Sequence, residues 1–255
     1  MTIECQALTR RFPGGRCGLD GLDLRLDTAG FTLITGHNGS GKSLLLRHLL
    51  GLEQPDAGRV LVDGRPLAAC LAGTRRRVAL VFQEPEHQIL GLTVAEDMAF
   101  GPSCAGRKPA DYEPELRSAL ACCGLAGFEE HLTANLSGGE KRRLAVAACL
   151  ASQPELLLLD EPFNDLDWRG ASELLAILQA LRADGIGIVV VTHDLEKCLA
   201  HADRLVVLDG GRVVRDAPPA ELWAELPALG LRRLPGGLDQ LPAMTWLKAE
   251  ACVAG

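Results

Sequence analysis

The sequence predicts an α/β fold in which a mostly parallel β-sheet forms the core, an antiparallel β subdomain precedes it and a helical subdomain is inserted into it. Three observations support this prediction. A glycine-rich loop at residues 36–43 joins an apolar run to a helical one. Three short apolar runs in the second half of the chain alternate with helical segments, as buried parallel strands do. Before those runs, residues 84–152 show helical patterns and no convincing strand.

The strands follow from the pattern of apolar residues. Residues 1–30 alternate apolar and polar positions and are broken by turn residues, which predicts short antiparallel strands. Two further strands are expected at 59–64 and 78–82. The buried parallel strands are expected at 156–159, 186–191 and 205–208, with helical stretches at 171–183 and 195–201 between them.

Within the helical subdomain, a helix is expected to begin at Thr93, because Glu96 follows at the spacing of a capping box. A second helix is expected over 112–123, where it stops at a glycine. Residues 1–225 would then form one domain with the helical subdomain inserted at about 84–152. The order of the C-terminal tail, 226–255, is left open by the sequence.

The composition narrows the class of protein. A net charge of −7 argues against a nucleic-acid binder with a broad basic surface. The sequence has no apolar run long enough to span a membrane and no secretion-signal pattern at its N-terminus, and its nine cysteines include no C-x-x-C pair, so we expect reduced thiols in the cytoplasm. The adjacent Cys122 and Cys123 are interpreted as helix-packing residues rather than a metal or redox site.

The glycine-rich loop, hereafter the phosphate loop, matches the pattern G-x-x-x-x-G-K-[ST] as Gly36-His37-Asn38-Gly39-Ser40-Gly41-Lys42-Ser43. Its backbone N–H groups and the positive end of the following helix would cradle phosphate oxygens. Lys42 would reach the β- and γ-phosphates, and the Ser43 hydroxyl would ligate Mg²⁺. A glycine-rich turn that binds nothing is the alternative, and the strand–loop–helix context favours a nucleoside triphosphate.

A second feature is the apolar strand at 156–159 that ends in Asp160 and Glu161. Beside a phosphate loop, Asp160 could hold Mg²⁺ through water, and Glu161 could accept the proton of an attacking water molecule. The alternative is a pair of solvated acids at the end of a strand.

A third feature is Leu136-Ser137-Gly138-Gly139-Glu140, which precedes a helical run. A capping box would explain Ser137 and Glu140 but not Gly138 and Gly139. Paired glycines at the start of a helix permit another group to approach closely, and free N–H groups there suit an anion. Both interpretations can hold together.

The ordered set of these motifs resembles the ATP-binding cassette (ABC) family, over roughly residues 2–225. The set consists of the phosphate loop, Gln83, the signature at 136–140, Asp160-Glu161, Asp167 and His193. The resemblance implies a P-loop ATPase core that binds ATP and Mg²⁺. It also implies a head-to-tail pair of cassettes, in which each ATP lies between the phosphate loop of one subunit and the signature helix of the other.

The resemblance implies a role for each matching residue. Glu161 would be the general base, His193 would bridge the γ-phosphate and the attacking water, and Gln83 would sense the γ-phosphate and Mg²⁺. The catalytic set is therefore Glu161, His193, Gln83 and Lys42, and the magnesium ligands are Ser43, Gln83 and Asp160. Nucleotide would be held by Phe12 against adenine and by Gly36, Asn38, Gly39, Ser40, Gly41, Lys42, Ser43, Leu44, Ser137, Gly138, Gly139, Glu140 and Asp167.

Two positions depart from the family pattern. Leu44 stands where the family commonly has threonine, although Ser43 keeps the hydroxyl that Mg²⁺ would need. Phe163-Asn164-Asp165 replaces the usual small residues after Glu161-Pro162, which affects the contact that Asp167 is expected to make across the dimer.

Two segments resemble the ATPases of energy-coupling-factor importers, which take up vitamins or transition-metal ions such as cobalt and nickel. They are the Q-x-P-x-x-Q segment at 83–88 and the T-V-x-E-D-x-A-F-G run at 93–101. In that subfamily the first segment lines a groove for helices of a membrane coupling protein. The alternative is a generic helical subdomain.

The expected partners are a second ABC subunit, identical or a paralogue, a transmembrane coupling protein and a substrate-binding membrane protein, with no nucleic acid. The subunit would sit peripherally on the cytoplasmic face of the membrane. Three alternatives stay open: the ATPase of a conventional ABC importer or exporter, a soluble ABC ATPase that acts on ribosomes or DNA, and a non-enzymatic binding module. Lys42, Asp160, Glu161 and His193 argue against the last.

Overall fold

The computed structural model describes residues 1–247. Its strands are β1 (Thr2–Arg11), β2 (Cys17–Asp27), β3 (Phe31–Thr35), β4 (Ala57–Val62), β5 (Arg65–Pro66), β6 (Val78–Val81), β7 (Leu156–Asp160), β8 (Gly187–Val191), β9 (Arg204–Asp209) and β10 (Arg212–Ala217). Its helices are α1 (Lys42–Leu49), α2 (Leu67–Arg77), α3 (Val94–Cys104), α4 (Pro109–Cys122), α5 (Gly138–Leu150), α6 (Trp168–Ala183) and α7 (Pro219–Leu222).

The strands form two sheets. The first has the order β2-β1-β4-β5 and is antiparallel throughout, which confirms the prediction for the N-terminal residues. The second has the order β10-β9-β3-β8-β7-β6, and all its pairings are parallel except that of the edge strand β10 with β9. Strands β3, β7 and β8 have five residues each, and all of these residues are buried, as expected of strands covered on both faces.

The register of the central sheet positions the functional site. Val191, the last residue of β8, pairs with both Ile34 of β3 and Asp160 of β7. Three parallel strands therefore end level with one another, and the loops that follow them meet at one edge of the sheet.

The inserted helices α3, α4 and α5 lie between β6 and β7 in the sequence and pack on one another through the larger of two buried clusters. Thr93 caps α3 and forms a capping box with Glu96, as predicted. Helix α4 begins at Pro109 rather than at the predicted residue 112, because proline at the first helical position has the right φ and needs no N–H partner.

Four elements were not predicted: α2, β5, β10 and α7. The sequence of α2 ends in three arginines and has few buried positions, so it carries only a weak helical pattern, and its helical dihedrals are interrupted at Cys70. The stretch at 195–201, predicted to be helical, instead forms two short 3₁₀ helices, Leu195–Lys197 and Leu199–His201. They meet at Cys198, whose φ of −148° and ψ of 0° are not helical. The packing interpretation of the paired cysteines holds for the buried Cys123, whereas Cys122 is exposed.

The C-terminal segment from residue 226 to 247 packs on the main core. Leu226, Leu231 and Met244 are buried in the larger cluster, and Ala200 N–H donates to the Met244 carbonyl at 3.0 Å. The remainder of the predicted tail, 248–255, lies outside the described residues.

Two glycines with similar backbones give a test of the N-terminal sheet. Gly58 (φ +78°) and Gly64 (φ +75°) both occupy the left-handed region, but a Cβ on Gly58 would lie 2.2 Å from the Ala7 carbonyl oxygen, whereas a Cβ on Gly64 would meet nothing within 4 Å. We expect Gly64→Ala to cost only the backbone strain, about 1 kcal/mol, and Gly58→Ala to cost about 3 kcal/mol or more. Urea denaturation would measure both, and equal losses would contradict the close approach of β1 and β4.

Candidate functional site

The phosphate loop leaves β3, passes between neighbouring backbones and enters α1. Gly36 has a φ of +145°, and a Cβ there would lie 2.0 Å from the Leu208 carbonyl oxygen. Gly41 is the N-cap of α1 with a φ of +103°, and a Cβ there would lie 2.5 Å from the Gly18 carbonyl oxygen. Both glycines are therefore required by the path of the loop as well as by its backbone conformation.

Lys42 is buried at the centre of the loop. Its Nζ donates to the carbonyl oxygens of Gly36 at 2.7 Å and His37 at 3.1 Å. Burial lowers the pKa of Lys42, although Glu161 and Asp160 act in the opposite direction. The ammonium group is thus held at the centre of the loop by backbone oxygens that phosphate oxygens could replace.

Ser43 and Asp160 meet next to this lysine. The Ser43 Oγ donates to Asp160 Oδ1 at 3.0 Å. Asp160 is only 8% exposed, and its burial raises its pKa despite the nearby Arg47 and Lys42. A hydroxyl and a buried carboxylate oxygen side by side are the hard oxygen ligands that Mg²⁺ prefers, so the two residues fit the predicted metal.

Glu161 and His193 form the next pair. Glu161 is buried and has a φ of 45°, which is uncommon outside glycine, and it accepts at Oε1 from His193 Nδ1 at 2.8 Å. The backbone N–H of His193 donates to Glu161 Oε2 at 3.4 Å, and the imidazole is half-exposed. The ends of β7 and β8 thereby bring the carboxylate and the imidazole together as one unit.

These groups open into one cavity of about 350 Å³, hereafter the phosphate-loop cavity. Of the predicted residues it brings together Phe12, Asn38, Gly39, Gly41, Lys42, Ser43, Leu44, Gln83, Glu161 and His193. Three other predicted residues do not line this cavity. Asp160 accepts a hydrogen bond from Ser43, which does line it, and the Gly36 carbonyl accepts from Lys42. Ser40 is buried within the phosphate loop.

Sequence reasoning missed Arg16 and Asn164, which also line this cavity. Arg16 follows the turn at 13–15, which folds back so that Phe12 N–H donates to the Arg16 carbonyl at 2.8 Å. That turn carries the guanidinium to the phosphate loop, where a Cβ on Gly39 would lie 3.2 Å from Arg16 Nη2. The proline and glycines of the turn were the available signal, but the sequence could not show which side chain it would deliver.

The signature residues occupy a different place. Ser137 caps α5: its Oγ accepts from Glu140 N at 3.3 Å, and Glu140 Oε2 accepts from Ser137 N at 2.7 Å, which confirms the capping box. A Cβ on Gly138 would meet nothing within 4 Å in the described chain, and one on Gly139 only ordinary contacts at 3.8 and 4.0 Å. Nothing in residues 1–247 therefore requires these two glycines.

The signature faces a second cavity, of about 870 Å³, which also includes Asp167 and Leu166 and shares no lining residue with the phosphate-loop cavity. Within this chain, then, the predicted contacts of Ser137, Gly138, Gly139, Glu140 and Asp167 are not brought to the phosphate loop. Arg142, which sequence reasoning missed, links the two regions: buried in α5, it donates to the Phe82 carbonyl at 3.0 Å and to the Asn164 carbonyl at 3.5 Å.

A phosphate loop, two carboxylates and a histidine at the carboxyl ends of parallel strands define a nucleotide-hydrolysing P-loop fold. Comparison with known proteins identifies the family within this fold. The family model described as "ABC transporter" matches residues 19–164. The chain belongs to the ABC transporter family, and it is an ATP-binding subunit that hydrolyses ATP.

Curated relatives support this assignment. The cobalt import ATP-binding protein CbiO of Rhodobacter capsulatus is 41% identical, covering 90% of this chain and 84% of the relative. The energy-coupling factor transporter ATP-binding protein EcfA of Methanocaldococcus jannaschii is 36% identical, covering 89% of this chain and 82% of the relative.

Solved structures agree. The structure of cbiO1 from Clostridium perfringens, described as part of the ABC transporter complex cbiONQ, has a TM-score of 0.80 at 30% identity, covering 88% of this chain and 90% of that one. A dimeric post-hydrolysis state of the cassette MJ0796 bound to ADP and Pi has a TM-score of 0.75 at 28% identity, covering 85% and 98%. The predicted fold class is confirmed. In residues 1–247, no helix is both long and apolar enough to cross a membrane.

The burial of Asp160 gives a test of pH dependence. Because its pKa is raised by burial, the ionised carboxylate destabilises the fold above that pKa, and the penalty disappears as the pH falls through it. We expect Asp160→Asn to raise the free energy of unfolding at pH 7 without nucleotide, and the gain to shrink towards pH ~4.

Asp56→Asn is the matched control of opposite sign. The pKa of this exposed carboxylate is lowered by the Arg11 N–H and by Arg10, so ionised Asp56 stabilises the fold above its ordinary pKa, and this is lost as the pH falls through the lowered value. Denaturation of both variants across pH would check the two signs, and a loss of stability at pH 7 in Asp160→Asn would contradict the burial argument.

Proposed function

We propose that this chain is the ATP-hydrolysing motor of a membrane importer of the energy-coupling-factor type, and that it works as a head-to-tail dimer with an identical or paralogous subunit. The observation that supports the dimer is the geometry of the signature residues 136–140. The capping box satisfies Ser137 N and Glu140 N, which leaves the N–H groups of Gly138 and Gly139 as the free donors of α5. A Cβ on either glycine would have no neighbour closer than 3.8 Å in the described chain, so a phosphate group brought by a second subunit could approach this turn closely.

In this proposal ATP occupies the phosphate-loop cavity. Phe12 would lie against adenine, Arg16 and Lys42 would contact phosphate oxygens, and Lys42 would exchange its bonds to the Gly36 and His37 carbonyls for them. Ser43, Asp160 and Gln83 would hold Mg²⁺, whose charge would neutralise the β- and γ-phosphates. The pKa of Asp160, raised by burial, is consistent with a carboxylate whose charge Arg47 and Lys42 offset only in part until the metal binds.

Hydrolysis would depend on Glu161 and His193. Glu161 would accept the proton of the attacking water as general base. His193 meets Glu161 through Nδ1, which leaves Nε2 for the γ-phosphate. The backbone bond from His193 N–H to the same carboxylate keeps both groups at the end of the sheet.

Replacement of the base separates binding from hydrolysis. Glu161→Gln should lower ATP turnover by roughly 10²–10⁴-fold while ATP binding persists, because the amide cannot accept the proton. The variant should also accumulate as an ATP-bound dimer, measured by light scattering. The matched control is Glu155→Gln, which loses ion pairs with Arg77 and with the N-terminal amine of Met1 at the other end of β7, away from the phosphate-loop cavity. A variant that stays monomeric at saturating ATP would contradict the sandwich.

The membrane partner is inferred from an exposed apolar patch, defined here as Leu90, Leu92 and Leu132, whose exposed fractions are 63, 75 and 51%. The two segments are held together, since Thr133 N–H donates to the Leu92 carbonyl at 2.9 Å and Thr93 bridges to Leu132. Exposed leucines on a rigid surface suit an apolar helix of a membrane coupling protein. The relatives named EcfA and CbiO and the cbiONQ complex support this type of partner.

Contacts of the neighbouring residues support the choice of this patch. Gln88 of the Q-x-P-x-x-Q segment turns inward: its Oε1 accepts from Phe82 N at 3.2 Å and its Nε2 contacts Cys149 Sγ at 3.3 Å. Asp97 fixes the next residues, because its Oδ1 accepts from the N–H groups of Leu90 and Gly91 at 2.7 and 3.1 Å. Gln88 therefore connects the loop of Gln83 to α5, and the patch is the part that a partner can reach.

The double substitution Leu92→Ser and Leu132→Ser should abolish co-purification of the coupling protein and stop transport, while ATP hydrolysis by the isolated subunit stays unchanged. Leu52→Ser with Leu238→Ser is the matched control, because these leucines are 48 and 49% exposed outside the patch. Pull-down from solubilised membranes, with uptake of labelled cobalt or nickel ions and of vitamins, would measure the effect and identify the substrate class. Capture of ordinary permeases would favour a conventional transporter, and capture of ribosomes would overturn the transport function.

A further inference from the structure

A buried lysine outside the phosphate loop joins the two catalytic segments. Lys197 is 8% exposed and lies in the first 3₁₀ helix after His193. Its Nζ donates to the Phe163 carbonyl oxygen at 3.2 Å, two residues after Glu161, and forms an ion pair with Asp194 Oδ2 at 2.9 Å, next to His193. One ammonium group therefore touches both the segment that follows the carboxylate and the segment that follows the imidazole.

The third side of this ammonium group is closed by the C-terminal segment. Lys197 Nζ lies 4.7 Å from the centroid of the Trp246 ring, within the range of a cation–π interaction. The backbone N–H of Trp246 donates to the Lys197 carbonyl at 2.9 Å, and Thr245 Oγ1 is 2.7 Å from His201 Nε2. A lysine ammonium has three donors, and here a carbonyl, a carboxylate and an aromatic face surround it.

We propose that Lys197 is a positioning residue that sets the distance between Glu161 and His193, and that Trp246 of the C-terminal segment holds Lys197 in place. The proposal rests on the proposed function of Glu161 as general base. Lys197 does not reach the phosphate-loop cavity, so it acts only through the two segments that it joins.

The expected effect follows from geometry. The Glu161 Oε1 to His193 Nδ1 distance of 2.8 Å depends on where β7 and β8 release their loops, and Glu161 is held at a φ of 45° that a relaxed loop would not keep. A misplacement of about 1 Å at a catalytic group can cost up to about 10²-fold in rate. Loss of one of several supports should cost less, about 10-fold in kcat, with little change in ATP affinity.

The experiment compares Lys197→Met, which keeps the aliphatic stem, in the wild-type and Glu161→Gln backgrounds. We expect kcat to fall about 10-fold in the first and by less than about 2-fold in the second, with the Kd for ATP unchanged, because a residue that acts through Glu161 cannot act when the base is gone. Trp246→Ala should lower kcat in the same way, and Trp246→Phe, which keeps an aromatic face, should restore most of it.

Arg233→Met is the matched control. It removes the other cation–π contact of the C-terminal segment, 5.2 Å from Trp223, and the carbonyls to which Arg233 donates belong to that segment. We expect a lower melting temperature and an unchanged kcat. If Lys197→Met lowers turnover equally in both backgrounds, or only in proportion to the unfolded fraction, the positioning role is overturned. If Glu161→Gln alone has no effect, the general base fails instead, and the two failures are thereby distinguished.

Discussion

The site depends on one constraint, the level ending of three parallel strands. Because Val191 pairs with Ile34 on one side and Asp160 on the other, the phosphate loop, the two carboxylates and His193 leave the sheet at the same height. A register shift in β7 or β8 would move Asp160 or Glu161 by a residue and reverse the face on which it lies. A shift that drew Asp160 back to the position of Leu159 would also bury its carboxylate among apolar side chains, which is costly.

That edge concentrates charge in a place from which water is largely removed. Lys42, Asp160 and Glu161 are each less than 9% exposed, and they do not form a simple ion pair. Lys42 is bound by backbone carbonyls and Asp160 by a serine hydroxyl. Such an arrangement costs folding stability, because buried charges without full compensation are expensive. A triphosphate with its metal would supply the missing charges of both signs, so binding and local stability are coupled.

The sequence predicted what is local. The phosphate loop, both capping boxes and the parallel strands depend on residues close in the chain, and their spacing carries the information. The roles of Arg16, Arg142 and Lys197 were not predicted, because their partners are distant in the sequence. Lys197 contacts Phe163, thirty-four residues away, and Arg142 contacts Phe82, sixty residues away. Gln88 shows a different limit of sequence-based prediction. The motif identified the residue but not the direction of its side chain, and the amide contacts Cys149 rather than a partner. Helix α2 escaped prediction because its final turn is a run of arginines.

The separation of the two cavities links chemistry to motion. Arg142 joins α5 to the carbonyl of Phe82 and to Asn164, so the signature, the segment of Gln83 and the loop after Glu161 form one packed unit. A phosphate group that binds Gly138 and Gly139 of one subunit would belong to the ATP held by its partner. It would therefore act on the segment of Gln83 in the first subunit, which is proposed to sense that subunit's own ATP. The same segment continues through Gln88 to the exposed leucines beside α3. In the proposed function, closure of the dimer would move a helix docked on those leucines through this connected set of contacts.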